Sequence, residues 1–307
     1  MSHADTIESM ARDIEAAHRE TLALPLADPA VAVAESDDAV YLAALQAGRA
    51  LGFIAADAQC VAHAWRRQLQ RGLPFDATRW PDDPADFGLS PEPRTAAFAA
   101  CPKTLGLYAV LPDAAWVGRM ARAGVPTVQL RFKSDDARAI DTEVRAAVAA
   151  VQDTGALLFI NDHWQCAIDA GAYGVHLGQE DLALLTPAEL QAMRLAGLRL
   201  GLSSHGYAEM LRADACHPSY IALGAVYPTT LKAMATPPQG TGRLAVYARL
   251  MRAHSLVAIG GIDEARLPAV LHSGVGSVGV VRALTADPDP EATAKRLSAS
   301  IEAGRLR

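Results

Sequence analysis

The chain has 307 residues, 51% of them apolar and 20% charged, with a formal net charge of -6. That balance suits an ordinary soluble protein large enough for a barrel plus an appendage. It argues against a nucleic-acid partner, since Lys and Arg are scattered rather than gathered into a basic stripe. No apolar run approaches the ~18 residues needed to span a bilayer. The opening MSHADTIESMARDIEAAHRE is polar and unlike a secretory signal, so the expected address is cytoplasmic, without a membrane partner. Cys60, Cys101, Cys166 and Cys216 lie far apart, show no paired metal spacing, and read as buried or bystander thiols.

Residues 1–100 are Ala-rich, with helices expected over 4–22, 37–51 and 55–70. The Pro/Asp-rich passage LPFDATRWPDDPADFGLSPEP follows and reads as a linker. The stretch VYLAALQAGRALGFIAADAQCVAHAW has the spacing of paired amphipathic helices. It resembles the C-terminal helices of ribokinase-like hydroxymethylpyrimidine kinases but carries no catalytic motif. A helical cap without chemistry of its own is the expectation.

From residue 101 onward short apolar strands alternate with longer amphipathic helices. Strands are expected over 105–111, 127–132, 156–160, 173–177, 199–203, 220–223, 256–259 and 277–281, with a closing helix near 291–303. This is the rhythm of a (β/α)8 TIM barrel with an extra, mostly helical N-terminal segment, and the expected division is 1–100 and 101–307. The competitor is an open doubly wound sheet. That fold usually announces a glycine-rich loop after its first strand, and Leu111-Pro112-Asp113 is not one.

In a barrel, polar residues at strand C-termini form the functional set. In VQLRFKSDD a period of two puts Gln129, Arg131 and Lys133 on one face and the apolar Val128, Leu130 and Phe132 on the other, toward the helices. A solvated edge strand would alternate in the same way. The βαβ unit FINDHWQCAIDAGAYGVHLGQEDL brings Asp162 and Asp181 to one sheet edge, where two carboxylates suit Mg2+. Helix capping by Asp162 and a solvated loop for Asp181 are the plainer alternatives. GLSSH places Ser203 and His205 at the rim; without an Asp partner, Ser203 reads as a hydrogen-bond donor, or as a helix cap. The loop GAVYPTTLKAMATPPQGTG supplies Thr229, Thr230 and Lys232, and Gly260-Gly261 with Val281-Arg282 forms the common phosphate site of this fold. Two anion subsites emerge. Arg131, Lys133, Lys232 and a Mg2+ on Asp162 and Asp181 suit a diphosphate, while Gly261, Val281, Arg282 and Thr229 suit a monophosphate.

These motifs, VQLRFK, INDHWQCAI, AYGVHLGQEDL, GLSSH, YPTTLK with PPQG, AIGGI and GVVRAL, occur in an order similar to that of the thiamine-phosphate synthases. The resemblance covers about 105–303. It implies a transferase that joins hydroxymethylpyrimidine diphosphate to hydroxyethylthiazole phosphate, releasing diphosphate. It assigns Gln129, Leu130, Arg131, Phe132, Lys133, Asn161 and Lys232 to the pyrimidine diphosphate and Asp162 and Asp181 to Mg2+. Ser203 falls at the reacting centre, with Arg131 and Lys232 as further catalytic groups. Thr229, Thr230, Leu231, Gly261, Val281 and Arg282 fall to the thiazole phosphate. Two departures stand out: Thr229-Thr230-Leu231-Lys232 replaces Thr-x-Thr-Lys, and Arg282 replaces a frequent Ser. A thiazole tautomerase, a phosphosugar isomerase or epimerase, and a non-catalytic scaffold are the alternatives. Assembly of identical copies is left open.

Overall fold

The computed structural model describes residues 3–26, 30, 32–89, 94–229 and 236–305. The N-terminal helices are α1 (His3–Leu22), α2 (Ala39–Ala50), α3 (Ala55–Gln70) and the short α4 (Pro84–Phe87). Eight parallel strands then close into a barrel in sequential order. They alternate with helices as β1 (Gly106–Leu111), α5 (Ala114–Arg122), β2 (Thr127–Leu130), α6 (Ala137–Ala150), β3 (Leu157–Asn161), α7 (Trp164–Ala170) and β4 (Gly174–Leu177). Next come α8 (Gln179–Leu184), α9 (Pro187–Leu195), β5 (Arg199–Ser204), α10 (Tyr207–Ala215), β6 (Tyr220–Leu223) and α11 (Gly240–Leu250). The last are β7 (Leu256–Ile259), α12 (Leu267–Leu271), β8 (Ser277–Val280), α13 (Arg282–Thr285) and α14 (Pro290–Arg305). The expected strands are all present, with ends shifted by a residue or two.

Local chemistry sets the helix starts. Asp113 accepts the Trp116 N–H at 2.8 Å, Asp136 accepts that of Arg138 at 2.9 Å, and Thr186 with Glu189 forms a reciprocal capping box. Strand alternation divides the core into two layers. Leu107, Ala109, Leu111, Val128, Leu130, Leu158 and Ile160 pack outward under the helices. Tyr108, Val110, Phe159, Tyr220, Ala222 and Val257 fill the barrel. Gly201 makes room for this filling, since a Cβ there would stand 2.1 Å from the Tyr220 ring.

The N-terminal helices are not loosely tethered. Their apolar residues join the same buried cluster as the outer barrel layer. The described part of the passage that reads as a linker is packed: Trp80 and Phe87 are buried, Trp80 Nε1 donates to Tyr207 Oη at 2.8 Å, and Phe87 stacks on the Tyr207 ring. Its prolines break helices, but the area its aromatics bury decides its fate.

Candidate active site

A cavity of about 650 Å³ opens at the C-terminal ends of the strands. Its wall contains Gln129, Arg131, Lys133, Asn161, Asp162, Asp181, Ser203, Thr229, Gly261, Val281 and Arg282, so most residues expected from the sequence converge on one mouth. Leu130 and Phe132 do not line it. Leu130 is buried in the outer layer and Phe132 packs against that layer, the placement strand alternation dictates. Thr230, Leu231 and Lys232 lie outside the described residues.

At the cavity floor the barrel-filling side chains form one hydrogen-bonded line. Gln129 Nε2 donates to Asn161 Oδ1 at 2.8 Å, which leaves Gln129 Oε1 to accept the Tyr108 hydroxyl at 2.9 Å. With its only proton committed, Tyr108 accepts from Tyr220 Oη at 2.7 Å. Tyr220 has in turn no proton left, so His176 Nδ1–H donates to it at 2.7 Å. In the neutral imidazole Nε2 is then an acceptor, and Ser203 Oγ–H donates to it at 2.8 Å. Ser203 thus spends its proton inward and offers lone pairs to the cavity, in contrast to the donor expected from its position. Burial pushes the Tyr108 and Tyr220 hydroxyls well above the usual phenol range, which keeps both protons on this line.

The rim carries the charges. Lys133 Nζ meets Asp162 Oδ2 at 2.6 Å. Asp162 has a left-handed backbone (φ 66°), and its side chain points to Lys133 rather than capping α7, whose N-cap residue is His163. Asp181, in the first turn of α8, accepts the Gly178 N–H. Burial first, and neighbouring Asp162 second, raise the Asp181 carboxyl above its ordinary value. Arg131 and Arg282 make no side-chain hydrogen bond or ion pair with the described residues, although both face the cavity. Two cations facing a partly desolvated mouth favour anions.

The β7 turn is held by close approach. A Cβ on Gly261 would lie 2.5 Å from the Pro228 carbonyl oxygen, and its φ of 63° is a conformation side chains rarely adopt. Arg266 donates to the Gly261 carbonyl, lies 4.8 Å from the Tyr227 ring and joins the wall.

Sequence reasoning missed His176, Glu180 and Arg266. His176 was detectable, because Val175 and Leu177 flank it on the outer face and alternation turns it inward. His205 reaches the wall as expected, yet its partner is Glu209 at 2.6 Å, and Ser203 pairs with His176 instead.

Mg2+ takes oxygen ligands and usually only one or two protein carboxylates, completing its shell with water and phosphate oxygens. Asp162 and Asp181 supply such a set on one wall. Among the described residues no group of three or more His, Cys, Asp or Glu side chains is arranged to hold a metal.

A closed parallel barrel with its polar and charged groups gathered at the strand C-termini defines a (β/α)8-barrel enzyme. The family profile described as thiamine monophosphate synthase matches residues 107–284, and the chain belongs to that family of transferases of thiamine biosynthesis. The thiamine-phosphate synthase of Neisseria meningitidis serogroup B is 52% identical over 195 residues, covering 64% of this chain and 94% of the relative. That of Cronobacter sakazakii is 49% identical over 203 residues, covering 66% and 95%. Among solved structures, the thiamine phosphate pyrophosphorylase from Pyrococcus furiosus superposes with a TM-score of 0.57 at 25% identity, covering 65% of this chain and 96% of that one.

Proposed function

We propose that this barrel joins 4-amino-2-methyl-5-(diphosphooxymethyl)pyrimidine to hydroxyethylthiazole phosphate and releases diphosphate, giving thiamine monophosphate. The observation that carries this reading is the pair of guanidiniums on one mouth, Arg131 and Arg282, two strands apart and without an ion pair among the described residues, with the Asp162–Asp181 pair beside the first. One cluster suits a metal-bound diphosphate and the other a monophosphate, which is the charge layout two phosphorylated reactants need. A single-phosphate isomerase has no use for the first cluster.

The pyrimidine ring sits against Gln129 and Asn161 at the floor in this reading. Ser203 Oγ, its proton committed to His176, accepts from the exocyclic amino group and orients the ring. The ring nitrogens and amino group feed electrons into the methylene carbon. The carbon–oxygen bond breaks with its electron pair going to diphosphate, and the thiazole nitrogen lone pair then forms the new carbon–nitrogen bond. Arg131, Lys133 and Lys232 stabilise the charge growing on the leaving oxygen, the role in which preorganised electrostatics contributes most. Mg2+ bound by Asp162 and Asp181 would add Lewis-acid neutralisation of the same oxygens. Thr229, Gly261, Val281 and Arg282 hold the thiazole phosphate. No proton leaves the thiazole nitrogen, whose free lone pair forms the bond without a general base.

The test is diphosphate release with both substrates and Mg2+ present. We expect turnover by the wild-type chain and its loss, by ~10³-fold or more, in the Asp162→Ala/Asp181→Ala double variant. Absence of thiamine monophosphate with both substrates present, or unchanged turnover in the double variant, would sink the assignment.

A further inference from the structure

The N-terminal helices reach the back of the rim through buried polar contacts. Helix α10 starts immediately after Ser203, Ser204, His205 and Gly206, and its N-cap position, Gly206, has no side chain to satisfy the first free N–H groups. Asp57 of α3 does so from outside: its Oδ1 accepts the Ala208 N–H at 2.8 Å across 151 residues of sequence. The fit is close, because a Cβ on Gly206 would stand 2.0 Å from Asp57 Oδ2. In the first turn of α10, Glu209 fixes the His205 N–H at 2.8 Å and its ring at 2.6 Å. The link therefore runs from Asp57 through the helix start to the β5 rim.

A second contact holds Gln239, the residue before α11. Arg243 of α11 is 2% exposed and donates to the carbonyls of Leu22 and Leu51, at the ends of α1 and α2, at 3.0 and 2.8 Å. It also donates to Gln239 Oε1, and the Gln239 N–H is tied to the Ala225 carbonyl at 2.8 Å. Gly242 lets the segment in this close, since a Cβ there would meet the Thr21 carbonyl oxygen at 1.9 Å. A buried carboxylate with an Arg nearby is a poor stability device, and the best-attested use of such groups is to specify register. Here the register is that of the two elements leading into the mouth.

We propose that the N-terminal helices are part of the catalytic scaffold, with Asp57 the positioning residue for the β5 rim and Arg243 its counterpart for Gln239 and, through it, Ala225 on the cavity wall. This rests on the synthase reading for its activity readout only. The experiment compares Asp57→Ala, Asp57→Asn and the control Val61→Ala, a buried apolar truncation on the same helix. It measures kcat and KM for both substrates well below every Tm, and amide hydrogen exchange across 205–210 in the ligand-free chain. Asp57→Ala should lower kcat by ~10- to 100-fold with little change in either KM, the scale of a small misplacement at a reacting centre. Asp57→Asn, whose amide oxygen still accepts an N–H, should stay within about threefold, since the cap is retained. Val61→Ala should lower Tm yet leave kcat near wild type. Exchange at Tyr207 and Ala208 should quicken in Asp57→Ala and not in Val61→Ala. Wild-type kcat in Asp57→Ala, or an equal loss in Val61→Ala, overturns the proposal. If the wild-type chain releases no diphosphate, the synthase reading falls on its own, and the exchange comparison still decides the coupling: faster exchange supports it and unchanged exchange overturns it. Should Asp57→Ala not fold, Gly206→Ala, which displaces the carboxylate from the other side, is judged by the same outcomes.

Discussion

Tyr220 sits at the middle of the hydrogen-bonded line, accepting from His176 and donating to Tyr108. Removing its hydroxyl keeps the ring but strands the His176 Nδ1–H and releases the imidazole tautomer that makes Ser203 an acceptor. Tyr220→Phe should therefore cost ~1–3 kcal/mol of stability for the unpaired buried donor and lower kcat by about tenfold, the low end for a lost orienting contact. Thermal melts and steady-state kinetics check this, and an unchanged kcat would detach the line from the chemistry. Much of the site at this scale was legible: alternation alone turned Gln129 inward and Leu130 outward. Ser203 was legible as a rim residue but not in its polarity, because the direction of a hydrogen bond depends on where the neighbouring protons go, and those neighbours come from β1, β2, β4 and β6.

Among elements, the β7 turn and the α3–α10 junction are the informative ones. Gly261→Ala places a side chain both at an unfavourable φ and against Pro228, and the turn must open to admit it. We expect the KM for the thiazole phosphate to rise by ~10-fold or more, from about 1–2 kcal/mol of strain at the phosphate subsite, with the pyrimidine KM nearly constant. Equal rises in both would mean a general loss of structure. At the junction, burial pushes the Asp57 carboxyl up to about 6, against the Ala208 N–H and Arg243, which pull it down; Glu209 adds a smaller upward push. The folded state thus binds this proton more tightly than the unfolded chain, whose carboxyl titrates near 3.8. The stability this residue contributes is fully present below pH ~4 and is lost as pH rises through about 6, by on the order of 3 kcal/mol. The Tm of the wild type relative to Asp57→Asn should accordingly fall between those pH values and then level off; a pH-independent difference would contradict it. None of this junction was legible, since an Asp in a helix looks like any solvated acid until the fold brings Gly206 against it.

At the scale of the whole molecule, the strand–helix rhythm revealed the barrel because its repeats are local, each strand from β1 to β7 pairing with the next one along the chain. The seat of the first hundred residues was hidden, because its contacts, Trp80 to Tyr207 and Arg243 to Leu22, span 127 and 221 positions. A chain trimmed to residues 101–307 would uncover Tyr207 and leave the Arg243 guanidinium without its carbonyl acceptors. We expect that fragment to bind hydrophobic dyes and to aggregate, because it exposes a contiguous apolar patch. A monodisperse, cooperatively melting fragment would show instead that the helices are dispensable for folding.

The long reach of Arg243 also bears on how the polypeptide is made. Leu22 and Leu51 emerge from the ribosome roughly two hundred residues before the guanidinium that satisfies them. At synthesis speeds of ~5–20 residues per second, this leaves the nascent helices waiting on the order of ten seconds or more for their seat. During that interval their greasy faces are open to chaperones, so helices made well before the barrel are among the last elements to find their final place.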